Sequence, residues 1–333
     1  MNTPLLSTSS GTSRRSFLTR SAQVATAGLL GQSVFAEPAP AAALPSETLV
    51  TQLYKGLNDT QKAAICLPWE DKRRQKVDNN WHIVKQPIRD VLNADQQAMV
   101  REIFDKLHSD EYKKEVWKQF DHDNAGDGGF GSASIALFGE PGTGQFEFVL
   151  TGRHCTRRCD GDSESGAAFG GPIFYGHAAA SFDEKPTHDG NVYWFQAKRA
   201  NEVFAALDGK QREKALLDSS RQEKGNLTVE LTGKTSGLEG LRLADMSADQ
   251  KGLVRGVIAD LLKPFRKHDA DEALRYIEAA GLDNLHMAFF KKGDLGNDGV
   301  WDVWQLEGPN MVWFFRGAPH VHCWAHIRDK AAA

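Results

Sequence analysis

Three of the chain's eleven histidines crowd into one stretch near its end, Arg316-Gly-Ala-Pro-His-Val-His-Cys-Trp-Ala-His-Ile-Arg328. Side chains on a strand alternate between faces. Read as a strand, the stretch points His320, His322, Trp324 and His326 one way. Val321, Cys323, Ala325 and Ile327 then point the other way, which reads as the core side. A His-x-His pair on one face puts two imidazoles within reach of one metal ion, and imidazole is the commonest protein metal ligand. The plainer reading of such a pair is a polar strand face. Ligation gains weight from a second, distant group at Gly152-Arg-His-Cys155. The alternation from Gln145 to Cys155 puts Phe146, Phe148, Leu150, Gly152 and His154 on one face, with His154 where the strand ends. Arg153 is the candidate substrate-binding residue: its guanidinium could orient an anion, or simply pair with Glu147. His177 closes a short apolar run after Gly170-Gly-Pro and is a candidate third or fourth ligand. His154, His177, His320 and His322 are therefore the candidate metal ligands. Three imidazoles with one open position suit zinc, copper or iron. Zinc would activate a water for hydrolysis, whereas copper or iron would suggest redox chemistry.

Other chemistries fit poorly. No Gly-x-Ser-x-Gly nucleophile motif is present. Gly139-Glu-Pro-Gly-Thr-Gly144-Gln-Phe has the glycines of a phosphate loop, but Gln145 and Phe146 replace its Lys and hydroxyl residue. ATP binding is rejected there and a hairpin turn expected. Asp121 to Gly131 is acidic and reads as a solvated loop. Counted from Asp121 as an EF-hand it has Ser132 where the bidentate Glu is needed. The four cysteines, Cys66, Cys155, Cys159 and Cys323, match neither the haem-attachment spacing nor the Cys-x-x-Cys of redox folds. A structural role is expected for Cys155 and Cys159, as a local bridge or with one bridged to Cys323. Soft-metal ligation is the minority reading.

The start of the chain carries an address. Ser13-Arg-Arg-Ser-Phe-Leu18 is similar to the twin-arginine export motif, and Val34-Phe-Ala36 offers small residues for a signal peptidase. Residues 1–36 are expected to be a signal peptide, 37–45 a flexible lead-in, and 46–329 a single domain. The export machinery and the signal peptidase are thus the expected partners, and the periplasm or beyond the expected location. That route moves folded proteins, so a cofactor can be loaded first. No apolar run is long enough for a membrane span. The net charge of −4 becomes more acidic once Arg14, Arg15 and Arg20 are removed, which argues against nucleic-acid binding.

The elements that must position these residues are mixed. Helices are expected over Ser46–Leu57 (Ser46 as N-cap), Asn93–Leu107, from Ser109 through Phe120, and over Ala200–Leu207, Gln211–Leu217, Ser247–Leu262 and Asp269–Ala280. Asn191–Gln196 and Leu227–Leu231 read as short strands. Leu285–Phe290, Gly299–Leu306, Asn310–Phe315 and His320–Ile327 read as an antiparallel meander. No internal repeat is apparent. The fold class is α+β, with helices packed on a largely antiparallel sheet.

Several short motifs resemble a bacterial family catalogued as domain of unknown function 3500. They are Pro68-Trp-Glu-Asp-Lys-Arg73, the Ser109-Asp-Glu-Tyr112 helix, Gly142-Thr-Gly-Gln-Phe-Glu-Phe148 leading to Gly152-Arg-His154, and Gly308-Pro309 leading to His320-Val-His322, with Arg328-Asp329 at the end. The family pattern has Gly-His-His where this chain has Gly152-Arg-His154. A guanidinium, which cannot ligate a metal, replaces one imidazole, and His177 is left to compensate. The resemblance carries no activity, but it supports the pairing of the two His motifs. The expected function is an exported metalloprotein, by preference an enzyme acting on a small molecule. The rival is a non-catalytic periplasmic ligand-binding or scaffold protein whose aromatic-rich sheet holds an organic ligand.

Overall fold

A computed structural model describes residues 44–178 and 190–331. The expected signal peptide lies outside the described residues. Among them, the helices are α1 (Pro45–Lys55), α2 (Asp59–Ile65), α3 (Ile88–Val91), α4 (Ala94–Lys106), α5 (Lys113–Asn124), α6 (Trp194–Ala206), α7 (Gly209–Ala215), α8 (Ala248–Leu262) and α9 (Lys267–Ala280). The strands are β1 (Cys66–Leu67), β2 (Ser134–Gly139), β3 (Phe146–Gly152), β4 (Cys155–Cys159), β5 (Ile173–His177), β6 (Leu216–Leu217), β7 (Leu241–Arg242), β8 (His286–Phe290), β9 (Val303–Glu307), β10 (Met311–Arg316) and β11 (Val321–Ile327). The fold is α+β. Its sheet is mixed but mostly antiparallel, and the β8–β11 meander runs as expected. Among the described residues no helix is long and apolar enough to cross a membrane.

The sheet order is β1-β2-β3-β4-β5-β11-β10-β9-β8-β6, with β7 added beside β8. It reads the same from both ends, and β5 and β11 meet antiparallel in the middle. Both outer strands pair parallel with their neighbours, β1 with β2 and β6 with β8. The helices follow suit. Capping boxes open α2 (Asn58, Gln61) and α4 (Asn93, Gln96) in the first half, and α7 (Asp208, Gln211) and α8 (Ser247, Gln250) in the second. Gln61 donates to Gln96 at 2.7 Å, and Gln211 to Gln250 at 3.0 Å. The two halves thus repeat one order of elements on either side of the β5–β11 pair, apart from α3 and β7. The expectation of no internal repeat is corrected at the level of element order; residue types survive at few places, among them the Gln of each capping box and Val100-Arg101 against Val254-Arg255.

Both faces of the sheet are covered. On one, Val321, Cys323, Ala325 and Ile327 join the main core beneath the helices. On the other, Phe174, Val312, Phe314 and Trp324 form a second core with Val77 and Val229 from two overlying loops. Those loops meet where Asn226 accepts from the Val77 amide and donates to the Gln75 carbonyl. Burial on two sides explains why β10 and β11 are apolar almost throughout.

Several local expectations change. Ser46 lies inside α1 and does not cap it. Pro45 opens the helix, and the Ser46 hydroxyl is used by Glu47 and Arg266. Residues 121–124 extend α5 and are not loop. Part of Asn191–Gln196 belongs to α6, and Gly225–Val229 is a 3-10 turn. Glu147 pairs with Arg158 and Arg74, not Arg153. All four cysteines are free. On neighbouring strands Tyr175 lies opposite both Cys155 and Cys323, between the two thiols.

Candidate metal centre

The alternation expected of β11 holds, and His322 points to the second face beside Phe174, with ring centroids 5.2 Å apart. His320 lies just before the strand. His154 arrives from the β3–β4 hairpin, whose two-residue turn is Arg153-His154. The turn forces His154 into the left-handed region, φ 56°, where non-glycine residues are uncommon. Its amide donates to the Asn79 carbonyl at 2.9 Å. In this pose the His154 ring meets both other rings at 5.0 Å. The Nε2 atoms of His320 and His322 are 2.9 Å apart, and those of His322 and His154 3.2 Å. One ring nitrogen from each of the three lies within 4.8 Å of the others, the only such metal-capable group among the described residues.

Two carboxylates hold the outer sides of these rings. His154 donates Nδ1–H to Asp123 Oδ2 at 2.8 Å, and His322 donates Nδ1–H to Glu223 Oε1 at 2.8 Å. With the carboxylates holding both Nδ1–H groups, His154 and His322 turn their Nε2 atoms toward each other. Burial, with the neighbouring imidazoles and Arg316 adding to it, pushes His320 down to about 4. Burial pushes His322 down to about 4 against the pull of Glu223. Both rings are therefore neutral at neutral pH. At 3.2 Å the two Nε2 atoms must be bridged by a proton or a cation, since bare lone pairs at that distance repel. Around a tetrahedral ion with bonds of about 2.0–2.1 Å, neighbouring ligand atoms sit roughly 3.3 Å apart, so the spacing fits one transition-metal ion. Carboxylate-backed imidazoles are the usual outer support of such sites.

Asp123 is fully buried and shared. Its Oδ1 accepts from His177 Nδ1 at 3.1 Å, and Gln119 and the Ala178 amide also donate to it. Burial pushes its pKa up, but the hydrogen bonds and charge of His154 and His177 outweigh that and hold it below the ordinary carboxylate range. Glu223 also accepts from Trp324 Nε1 at 2.6 Å and Arg316 at 2.7 Å. Burial raises it, and His322 and Arg316 bring it back below its usual value. His154 and His322 are buried, and His320 is half-buried, so the trio opens on the His320 side.

The structure brings three of the four histidines singled out from sequence together. His177 stands behind them on the shared carboxylate. Arg153 is exposed in a cleft with Asn80, His82, Lys85, Arg89 and Asp127. His326 faces the same side as His322, but its Nδ1 donates to the Val229 carbonyl at 3.1 Å, away from the trio. Asp123 and Glu223 were missed: Asp123 was read as part of a solvated loop, and Glu223 sits in a charged connection with no pattern of its own.

Residues 41–331 match the model of a family described as a protein of unknown function, DUF3500. The chain belongs to that family. No curated protein and no solved structure matches it.

Proposed function

We propose that this DUF3500 member is a metalloprotein whose His154, His320 and His322 Nε2 atoms hold one transition-metal ion with a coordination position left for a small molecule. One observation carries the reading: Nε2 atoms of His154 and His322 face each other at 3.2 Å, with His320 Nε2 2.9 Å from His322, while carboxylates hold the Nδ1 sides of His154 and His322. Three imidazoles suit zinc, copper or iron; such an ion would supply either an activated water or an electron. The chain's own residues do the rest. Asp123 and Glu223 orient two ligands and fix their tautomers. His177 acts through Asp123, to which its Nδ1–H donates at 3.1 Å. Phe174 and Trp324 wall the buried side. Arg153, sharing its cleft with Lys85 and Arg89 against Asp127, is the cation we assign to an anionic ligand there. The paired arginines at Arg14-Arg15 support loading the ion before twin-arginine export to the periplasm.

Elemental analysis of protein purified from the periplasm tests this, with about one transition metal per chain expected. His322→Ala should lose that metal and keep its far-UV circular dichroism. Metal-free protein whose melting ignores chelator sinks the proposal and favours a non-catalytic ligand-binding or scaffold role. Metal retained in full by His322→Ala means the ligands are misassigned.

A further inference from the structure

The repeated order of elements has a consequence among the helices. α4 with α5, and α8 with α9, are matched pairs. Their caps, Asn93 and Ser247, and the first residues of α5 and α9, Lys113 and Lys267, are equally spaced. Arg101 therefore corresponds to Arg255, Phe104 to Ile258, Asp105 to Ala259, Trp117 to Asp271 and Phe120 to Leu274.

In the first pair, aromatic rings fill the space between the helices. The Trp117 ring lies 4.8 Å from Phe104 and 5.2 Å from Phe130, which arrives on the turn after α5. Its ring N–H donates to Asp105 at 3.2 Å. The Arg101 guanidinium covers both rings, 4.6 Å from Trp117 and 4.9 Å from Phe130. The matched positions of the second pair carry none of these rings. Asp271 is exposed and pairs with Lys267 on the surface, and the matching turn, Leu282–Asn284, brings no aromatic residue. The groove between α8 and α9 is open in consequence, with a cavity of about 400 Å³. Ile258 and Ala259, the counterparts of Phe104 and Asp105, wall it together with Leu274 and Ile277. Leu274 is 38 % exposed there, one of two large hydrophobic side chains so exposed among the described residues. Arg255 and Glu278 also line the groove, both exposed, and neither charge has a partner among the described residues.

We propose that this groove is a ligand site, separate from the histidine trio, for a small uncharged aromatic molecule of indole size that carries a ring N–H. The ring takes the place that Trp117 holds in the first pair. Its electron-rich face meets the Arg255 guanidinium, as Trp117 meets Arg101. Ala259 offers no acceptor where Asp105 stands, so the ring N–H goes to the Glu278 carboxylate. The apolar wall disfavours a charge on the ring itself, and the cavity is of the size that small-molecule sites have.

The test uses the full chain with 13C-labelled Ile and Leu methyl groups, titrated with indole, 1-methylindole and cyclohexanol. Ile258→Val and Leu274→Met assign the two reporting signals. Both signals are expected to move upfield, through the ring current of a stacked ring, and to saturate with indole in the millimolar range, on the order of what a ligand this small attains. 1-Methylindole, which lacks the donor, should bind several-fold more weakly. Cyclohexanol, which lacks the aromatic face, should leave both signals in place at the same concentrations. Arg255→Ala should weaken indole binding about threefold. Asp271→Trp refills the groove from within. It should produce the upfield shifts with no ligand present, abolish the response to indole and shift the melting temperature upward. Both substituted positions are exposed, so these are surface changes. No upfield shift with indole overturns the proposal, as does equal binding of cyclohexanol or of 1-methylindole. So does a response to indole that survives Asp271→Trp. Metal content plays no part in these readouts, so this site and the trio stand or fall separately.

Discussion

At the scale of single residues, His154 pays for its position in backbone strain. A side chain at φ 56° costs roughly 1–2 kcal/mol, and it holds because Asp123 and the two other imidazoles fix the ring. Both His154→Ala and His154→Gly remove the ligand, but only glycine also relieves the backbone. The glycine variant should be about 1 kcal/mol the more stable of the two in urea denaturation; equal midpoints would show the turn is not strained. Asp123→Asn should keep the fold but weaken metal binding about 10–100-fold, measured by competition with a chromophoric chelator, because one amide cannot accept from both His154 and His177. A third expectation concerns pH. Burial lifts Asp160 to about 7. The folded chain then holds this proton more tightly than the unfolded one, so stability falls as pH rises. The loss starts near pH 4, the ordinary Asp value, and is complete above about 7. Asp160→Asn, which still accepts from the Glu164 amide, should flatten the fall of the urea midpoint between about pH 5 and 7 relative to the parent.

At the scale of elements, sequence showed what depends on local period and little of what depends on distant contact. The two faces of β11 follow from alternation alone, and the capping boxes of α4 and α8 from residue types three apart. The hairpin that delivers His154 was read as a longer strand, since nothing in Gly152-Arg-His-Cys155 marks a turn in the way Asn-Gly would. Asp123 was hidden because Asp121-His-Asp-Asn-Ala-Gly-Asp has the composition of a loop, while its first four residues finish α5. Glu223 has meaning only once its connection lies across β11. The repeat was masked because identities survive at scattered single positions, such as Gln96 and Val100 against Gln250 and Val254, too sparse to show a period. That conservation of role can be measured. Gln96 and Gln250 each donate across to the partner helix and to a backbone carbonyl, Gly56 and Ala206 respectively. Gln96→Ala and Gln250→Ala should each cost about 1–2 kcal/mol in chemical denaturation. A loss at one and none at the other would break the equivalence.

At the scale of the whole molecule, the described residues share one sheet, with a core on each face. The halves are joined through β5 and β11 edge to edge, so neither should melt without the other. Tryptophan fluorescence and far-UV circular dichroism should report one coincident transition; two separated transitions would show the halves unfold apart. Metal at about a hundred times its dissociation constant should add roughly 2.7 kcal/mol and raise the melting temperature by several degrees, a gain absent in His322→Ala.

The seam between the two halves also bears on the proposed metal site. His154 belongs to the first half, and His320 and His322 to the second. Half of this polypeptide on its own would present one imidazole or a pair, never the trio. A metal held by all three imidazoles would therefore need both halves side by side. The repeated strand order shapes both ends of the seam alike, but the three imidazoles stand at one end only.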